Sequence, residues 1–249
     1  FCFHPTPEHI VKNIIKRHAP MKFTSLLEPS IGDGALIKGI STKDKEVTCV
    51  DIDSARLIEL KEHKISDGFT LLNDDFLNID FKSKKFDFIL CNPPFNGKNQ
   101  FKIGNKKVPI EAAFLDKSLE LCKQGGRLIF ILPSSVTRGT RLKWFRNKVL
   151  QQCNLAYSYK VEGDFSVLIL DKSKSKKTSI FRTDQSEAIC TDLASEVENL
   201  SFDADELMAI RNFKLLLNKL PFSYQPLSQI ISFSRGQVTS NYKQEGVIH

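Results

Sequence analysis

The chain lacks any apolar run near the ~18–20 residues that a membrane-spanning helix needs, so no membrane partner is expected. Its six cysteines stand at 2, 49, 91, 122, 153 and 190, never closer than 31 residues. That spacing excludes a CxxC ligand pair and a small-domain disulfide framework. Cys49 and Cys91 sit inside apolar runs and read as reduced core thiols, which points to a reducing, cytoplasmic compartment. There are no internal repeats, no low-complexity tract and no Ser-His-Asp pattern. His4 and His9 fall among helix-start residues without a cysteine or carboxylate cluster, so they read as surface or capping groups and no metal is expected. The chain opens at Phe1 with neither Met nor a charged-then-apolar leader, which predicts no signal peptide and a trimmed start. Acidic excess is missing too: 36 Lys and Arg face 29 Asp and Glu, a net charge of +7. A polyanion such as nucleic acid suits that balance, but many enzymes of neutral ligands are as basic.

What is present is a core. With 41% hydrophobic residues spread over 249 positions, wholesale disorder is excluded. Strand-then-helix patterns recur from about residue 8 to 170. Ile10, Val11, Ile14 and Ile15 repeat at helical spacing, with Thr6 as N-cap and Pro7 at the first helical position. Apolar strands are predicted at 25–27, 46–52, 69–72, 86–91 and 127–132. Helices follow near 35, at 54–63, at 110–123 and at 140–151. Segments 155–161 and 165–170 read as a strand pair. Such near-continuous apolar strands, alternating with helices, predict an α/β fold. Its sheet is mostly parallel, with a late antiparallel edge hairpin and helices on both faces. Residues 186–219 carry a helical pattern broken near 201–203, and 226–249 show turn chemistry with no closing element.

Four segments carry chemistry. In Leu27-Glu28-Pro29-Ser30-Ile31-Gly32-Asp33-Gly34-Ala35 a strand runs through a glycine turn into a helix, where open α/β sheets hold nucleotides. Ile37 occupies the place of a third glycine, so a dinucleotide fingerprint fails. Glu28 instead suits a cationic ligand, such as the ammonium and sulfonium of S-adenosylmethionine. Val50-Asp51-Ile52-Asp53 ends the next strand, and Asp51 can accept both hydroxyls of a ribose. Asn73-Asp74-Asp75-Phe76 ends the third, offering a carboxylate for an adenine amino group and a ring to pack on its face. Each alone reads equally as a solvated strand end; three in succession favour a nucleoside site. The fourth, Cys91-Asn92-Pro93-Pro94-Phe95, leaves a buried strand. Its two prolines remove backbone donors and stiffen the turn, leaving carbonyl acceptors, an Asn acceptor and a flat aromatic face.

In this order the motifs resemble the S-adenosylmethionine-dependent DNA adenine-N6 methyltransferases. The similar class has cofactor motifs before Asn-Pro-Pro-Phe and a target recognition domain after it, as in the modification enzymes of restriction–modification systems. The resemblance covers about residues 3–170 and implies a Rossmann-like methyltransferase fold with S-adenosyl-L-methionine as cofactor. By it, Thr6 and Pro7 close over the methionine, and Glu28, Pro29, Ser30, Gly32 and Gly34 form the methionine-binding loop. Asp51 and Ile52 meet the ribose side; Asp75 and Phe76 meet the adenine. Asn92 and the Pro93 carbonyl hold the target amine, Pro94 stiffens the turn and Phe95 stacks on the base, with Phe165 as the second aromatic. The implied domains are a catalytic domain over 1–180, a helical connecting segment over 181–225 and the truncated start of a target recognition domain over 226–249.

The implied substrate is double-stranded DNA with a flipped adenine, with a restriction endonuclease or specificity subunit as partner. Lys98 and Lys102, with Lys106 and Lys107, lie in a stretch free of acids from Asn96 to Val108 and suit phosphates beside the site. Arg138, Arg141, Lys143 and Arg146 form a second basic run after Pro133. Asn-Pro-Pro-aromatic also serves enzymes that methylate RNA adenine or guanine, or a protein glutamine amide. A non-catalytic DNA-binding subunit is the alternative from another class, and intact motifs argue against it.

Overall fold

The structure is a computed structural model. It describes residues 5–95, 101–173, 179–183, 186–190 and 201–203, together with residues 205, 206, 209, 216 and 219. The chain divides into Phe1–Ile210 and Arg211–His249. In the second unit Leu216 is helical and Lys219 donates its amide to the Leu216 carbonyl at 3.0 Å. The expected recognition-domain start over 226–249 lies outside the described residues, as do His4 and Lys98.

Nine strands of the first unit form one sheet: β1 (Ser25–Glu28), β2 (Glu46–Asp51), β3 (Thr70–Asn73), β4 (Phe86–Cys91), β7 (Cys122–Pro133), β8 (Asn154–Val161), β9 (Phe165–Asp171), β10 (Ser179–Thr183) and β11 (Ser186–Cys190). Their order is β11-β10-β8-β9-β7-β4-β1-β2-β3. Strands β7, β4, β1, β2 and β3 run parallel to one another; β9 lies antiparallel between β7 and β8. The late antiparallel pair is therefore present, but the sheet continues past it through β10 and β11. Ser186–Cys190 pairs antiparallel with β10, which corrects the helix expected to begin at Ser186. Its backbone groups are used in the ladder, which overrides a weak helical pattern. The sheet thus crosses the boundary expected near residue 180. A separate hairpin, β5 (Phe101–Ile103) with β6 (Lys106–Val108), stands where a loop was expected.

The central strands are apolar on both faces because both are covered. On β7, Leu128, Phe130 and Leu132 face one cluster, packed with helix Ile110–Leu121 and helix Lys143–Gln152. Ile129 and Ile131 face the other, with the helical stretch 8–18 and helices Ala35–Lys38 and Ser54–Glu62. Each such buried side chain contributes about 1.5–3 kcal/mol, so a one-residue slip, which swaps the faces, is excluded. The 8–18 stretch contains a π segment at Val11–Ile15. Pro7 rather than Thr6 precedes its first turn, and no side chain caps it.

At the edge where β1 and β4 begin, Asp87 Oδ2 accepts the Thr24 and Ser25 amides at 3.0 Å each, and Lys123 lies 2.9 Å from Oδ1. Burial pushes this carboxyl up, but hydrogen bonds from Thr24, Ser25 and Lys123 win and hold it well below the ordinary range. β7 also approaches closely there: a Cβ on Gly126 would sit 2.8 Å from the Asp87 carbonyl oxygen, so only glycine fits beside the register shift between Phe86 and Phe88.

Arg146, expected in a basic surface run, is only 2% exposed. Its guanidinium donates to the carbonyls of Val136 and Arg138, at 3.1 Å each, and of Gly139. It holds the turn after Pro133 from inside, and burial pulls its pKa down. Arg146→Ala is expected to destabilise the protein by about 2–4 kcal/mol, since the carbonyls of Val136, Arg138 and Gly139, the first of them buried, lose a charged donor; urea denaturation measures it.

Candidate active site

β1 has β2 on one side and β4 on the other, all parallel. The chain winds outward from β1 through β2 to β3, then returns to β4 across β1. Ligands of open α/β sheets bind at this reversal, beyond the strand C-termini. A cavity of about 210 Å³ opens there. It is lined by Thr6, Glu28, Pro29, Ser30, Gly32, Asp51, Ile52, Asp75, Phe76 and the whole Asn92-Pro93-Pro94-Phe95 run. Four motifs spread between Leu27 and Phe95 therefore share one space.

Hydrogen bonds between the loops fix their spacing. Asp51 Oδ2 accepts the Gly32 amide at 2.8 Å, and its Oδ1 accepts the Asp53 amide at 2.9 Å. Ile31 donates its amide to the Val50 carbonyl at 3.0 Å. Gly32 and Gly34 take φ of +54° and +74°, a region glycine enters without Cβ strain. Ser30 Oγ donates to the Asn92 carbonyl at 2.9 Å. Asn92 Nδ2 donates to Thr6 Oγ1 at 3.0 Å, so Thr6 orients the Asn92 amide instead of capping a helix. At the third strand end, Asp75 accepts Leu77's amide at 3.0 Å and Asn78 Nδ2 at 3.1 Å. Behind it Phe76, 2% exposed, packs against Phe114 with ring centroids 4.9 Å apart.

Glu28 is the electrostatic centre. It is 1% exposed, and its Oε2 has no hydrogen-bond partner among the described residues. Burial, and then the charges of Asp33 and Asp51, push its carboxyl well above the ordinary range. An orphaned buried acid is costly, and a cation in the cavity would satisfy it. Ile52, by contrast, is 56% exposed at the rim, an apolar edge for a flat ligand.

Pro7, Gly34, Phe165 and Lys102 do not line the cavity. Pro7 precedes the first helical turn, and Gly34 turns the chain into helix Ala35–Lys38. The Phe165 ring nevertheless packs on Phe95, with centroids 4.8 Å apart and planes inclined 53°. Lys102 is exposed on β5, directly opposite Lys107 on β6. Lys106 lies 4.5 Å over the Trp144 ring. Sequence reading missed Asp33, Asp53, Arg56, Asp74, Phe101, Ile110 and Phe114, which also line the cavity. Among the described residues no group of three or more His, Cys, Asp or Glu could hold a metal ion, and no helix is long and apolar enough to cross a membrane.

A mostly parallel α/β sheet with an acid-lined cavity at its reversal defines a Rossmann-like α/β fold. Residues 14–167 match the Eco57I restriction-modification methylase family. The chain belongs to that family. It is 35% identical to the type II methyltransferase M.MjaVI of Methanocaldococcus jannaschii over 78 residues, covering 29% of this chain and 40% of that protein. Ribosomal RNA small subunit methyltransferase A of Mycoplasma mobile is 37% identical over 89 residues, 34% of each. The crystal structure of the M protein of the type I restriction enzyme EcoKI superposes with a TM-score of 0.59 at 16% identity, covering 72% of this chain and 48% of that one. The chain thus spans less than half the length of each of these relatives.

Glu28 sets a pH dependence of its own. A folded-state pKa above the unfolded value means stability that is full below the ordinary carboxylate range and is lost as pH rises through the raised value. Unfolding free energy measured in urea from pH 5 to 9 should therefore fall by an amount that Glu28→Gln abolishes; equal slopes in the two proteins would contradict it.

Proposed function

We propose that the protein is a DNA methyltransferase of a restriction–modification system that uses S-adenosyl-L-methionine to methylate the N6 amino group of adenine. The observation that carries this reading is the single cavity joining Glu28, Asp51 and Asp75-Phe76 to Asn92-Pro93-Pro94-Phe95. An acid cluster for a cationic nucleoside thereby adjoins a ring of acceptors beside an aromatic face. When bound, the cofactor supplies an activated methyl group on a sulfonium. Glu28 offers its buried carboxyl oxygen to that cation's charge, Asp51 its second lone pairs to a ribose, and Ile52 and Phe76 apolar surface to a purine.

An exocyclic aromatic amine is a poor nucleophile because its lone pair is delocalised into the ring. The Asn92 side-chain oxygen and the Pro93 carbonyl accept its two N–H bonds and favour a tetrahedral nitrogen with a localised lone pair. The same oxygens stabilise positive charge as it develops on nitrogen, with the sign opposite to an oxyanion hole. Rigid loops that fix both reactants supply the near-attack geometry. N6 lies inside a duplex, so the adenine must leave the stack, and Phe95 with Phe165 offsets part of that cost. Lys102 and Lys107, unpaired across the hairpin by like charge, gain from a phosphate between them. A restriction endonuclease or specificity subunit is the partner such a reading implies. Buried free thiols at Cys49, Cys91, Cys122 and Cys153 support a reducing, cytoplasmic setting.

Adenine in RNA is the second reading, favoured by the likeness to the ribosomal RNA relative over a third of the chain. Tritiated-methyl transfer to DNA, RNA and protein in parallel, followed by nucleoside analysis, separates them: label in N6-methyladenosine of RNA alone would refute the DNA assignment. Asn92→Ala should lower kcat at least 100-fold with cofactor affinity nearly unchanged, whereas Asp51→Ala should weaken cofactor binding first. Calorimetry alongside steady-state kinetics tests this split.

A further inference from the structure

Phe165 is held at a strained corner. It starts β9, in register with Pro133 of β7 and Val161 of β8. The two residues before it, Gly163 and Asp164, take φ of +73° and +65°. A non-glycine residue there persists only where its surroundings compel it. Three donors converge on the Asp164 carboxylate: Ser134 Oγ, Arg138 at 3.0 and 3.1 Å, and Lys160 Nζ at 2.9 Å. Lys160 also donates to Asp203 Oδ2 at 3.1 Å, and Asp203 is 0% exposed.

Asp203 belongs to a short segment bolted into the same corner. Phe202, 1% exposed, donates its amide to the Thr137 carbonyl at 2.6 Å and accepts Ser158 Oγ at 2.5 Å; Ser201 Oγ donates to the Thr137 carbonyl at 3.1 Å. A lone exposed ion pair would contribute little. Here one carboxylate gathers donors from the start of the short helix Ser134–Thr137, from Arg138 just after it and from β8, and a buried acid from a segment about forty residues downstream anchors Lys160.

We propose that Asp164 is a positioning residue: it sets the Phe165 ring against Phe95, and the 201–203 segment secures it through Lys160. The proposal rests on the reading of Phe95 and Phe165 as the surface that receives the target base. It makes the corner, rather than either ring alone, the determinant of how the base is held.

Tritiated-methyl transfer to unmethylated duplex DNA tests it, with cofactor affinity by calorimetry and the melting temperature recorded for each variant. Asp164→Ala and Lys160→Met should each lower kcat about 10–100-fold, the cost of a roughly 1 Å misplacement. Cofactor affinity should stay within about twofold, and the double variant should be no worse than the slower single one, as members of one network are non-additive. Asp164→Asn, which tolerates the left-handed backbone and keeps an acceptor, should recover part of the loss. Full kcat in Asp164→Ala with a slow Phe165→Ala overturns the positioning role and leaves the platform standing. Full kcat in both removes the platform and the proposal with it. A loss of kcat matched by lost cofactor affinity and a lower melting temperature marks a merely structural role and overturns the proposal. Should Asp164→Ala fail to fold, Ser134→Ala, which removes a single donor, is read by the same criteria.

Discussion

β1 lies between two parallel partners, and through them three loops are bound to one another. The Asp51 carboxylate grips the Gly32 amide across 19 residues of sequence, Ser30 grips the Asn92 carbonyl across 62, and Asn92 grips Thr6 across 86. None of these bonds belongs to the sheet ladder, yet the first two depend on the ladder having brought two strand ends together, and the third ties in the segment before the first helix. The half of the cavity that suits a nucleoside and the half that suits a planar amine therefore share one frame. Methyl transfer between two bound molecules requires such a frame, because misplacement by an ångström costs about 100-fold in rate.

Much of this was legible beforehand, and the reason is periodicity. Strands β1, β2, β4, β7 and β9 are short apolar runs bounded by turn chemistry, buried on both faces, and their placement follows from that pattern alone. The strand-end acids were legible because each closes an apolar run: Glu28 before Pro29, Asp51 after Val50, and Asp75 after Asn73-Asp74. What stayed hidden depends on side chains that meet only across the fold. Phe101, Ile110 and Phe114 look like ordinary core residues, and nothing local says that their core borders a cavity. Thr6 has the sequence position of a helix cap, but its hydroxyl is taken up by an amide 86 residues away. Arg146 sits in a basic run and yet points inward, because the carbonyls it satisfies belong to a turn that only the tertiary structure closes. At β11 a modest helical pattern yields to the strand edge that β10 offers, since unpaired edge groups gain ladder bonds by pairing.

The charge arrangement resolves an apparent conflict in composition. A chain with a net charge of +7 lines its cavity with Glu28, Asp33, Asp51, Asp53, Asp74 and Asp75 and, among the described residues, a single base, Arg56. The acidic cavity and the basic hairpin, on which Lys102 and Lys107 are exposed, present opposite charge to what they bind. The interior favours a small cation and penalises a phosphate. The exterior, with Lys102 facing Lys107, does the reverse. Were the cavity built for a nucleotide, its acids, with Glu28 buried among them, would repel the pyrophosphate. A cationic nucleoside inside and a polyanion outside satisfy both surfaces at once. The cost of burying Glu28 is then recovered only when the cation is in place, which ties the electrostatics of the cavity to the reaction it is proposed to perform.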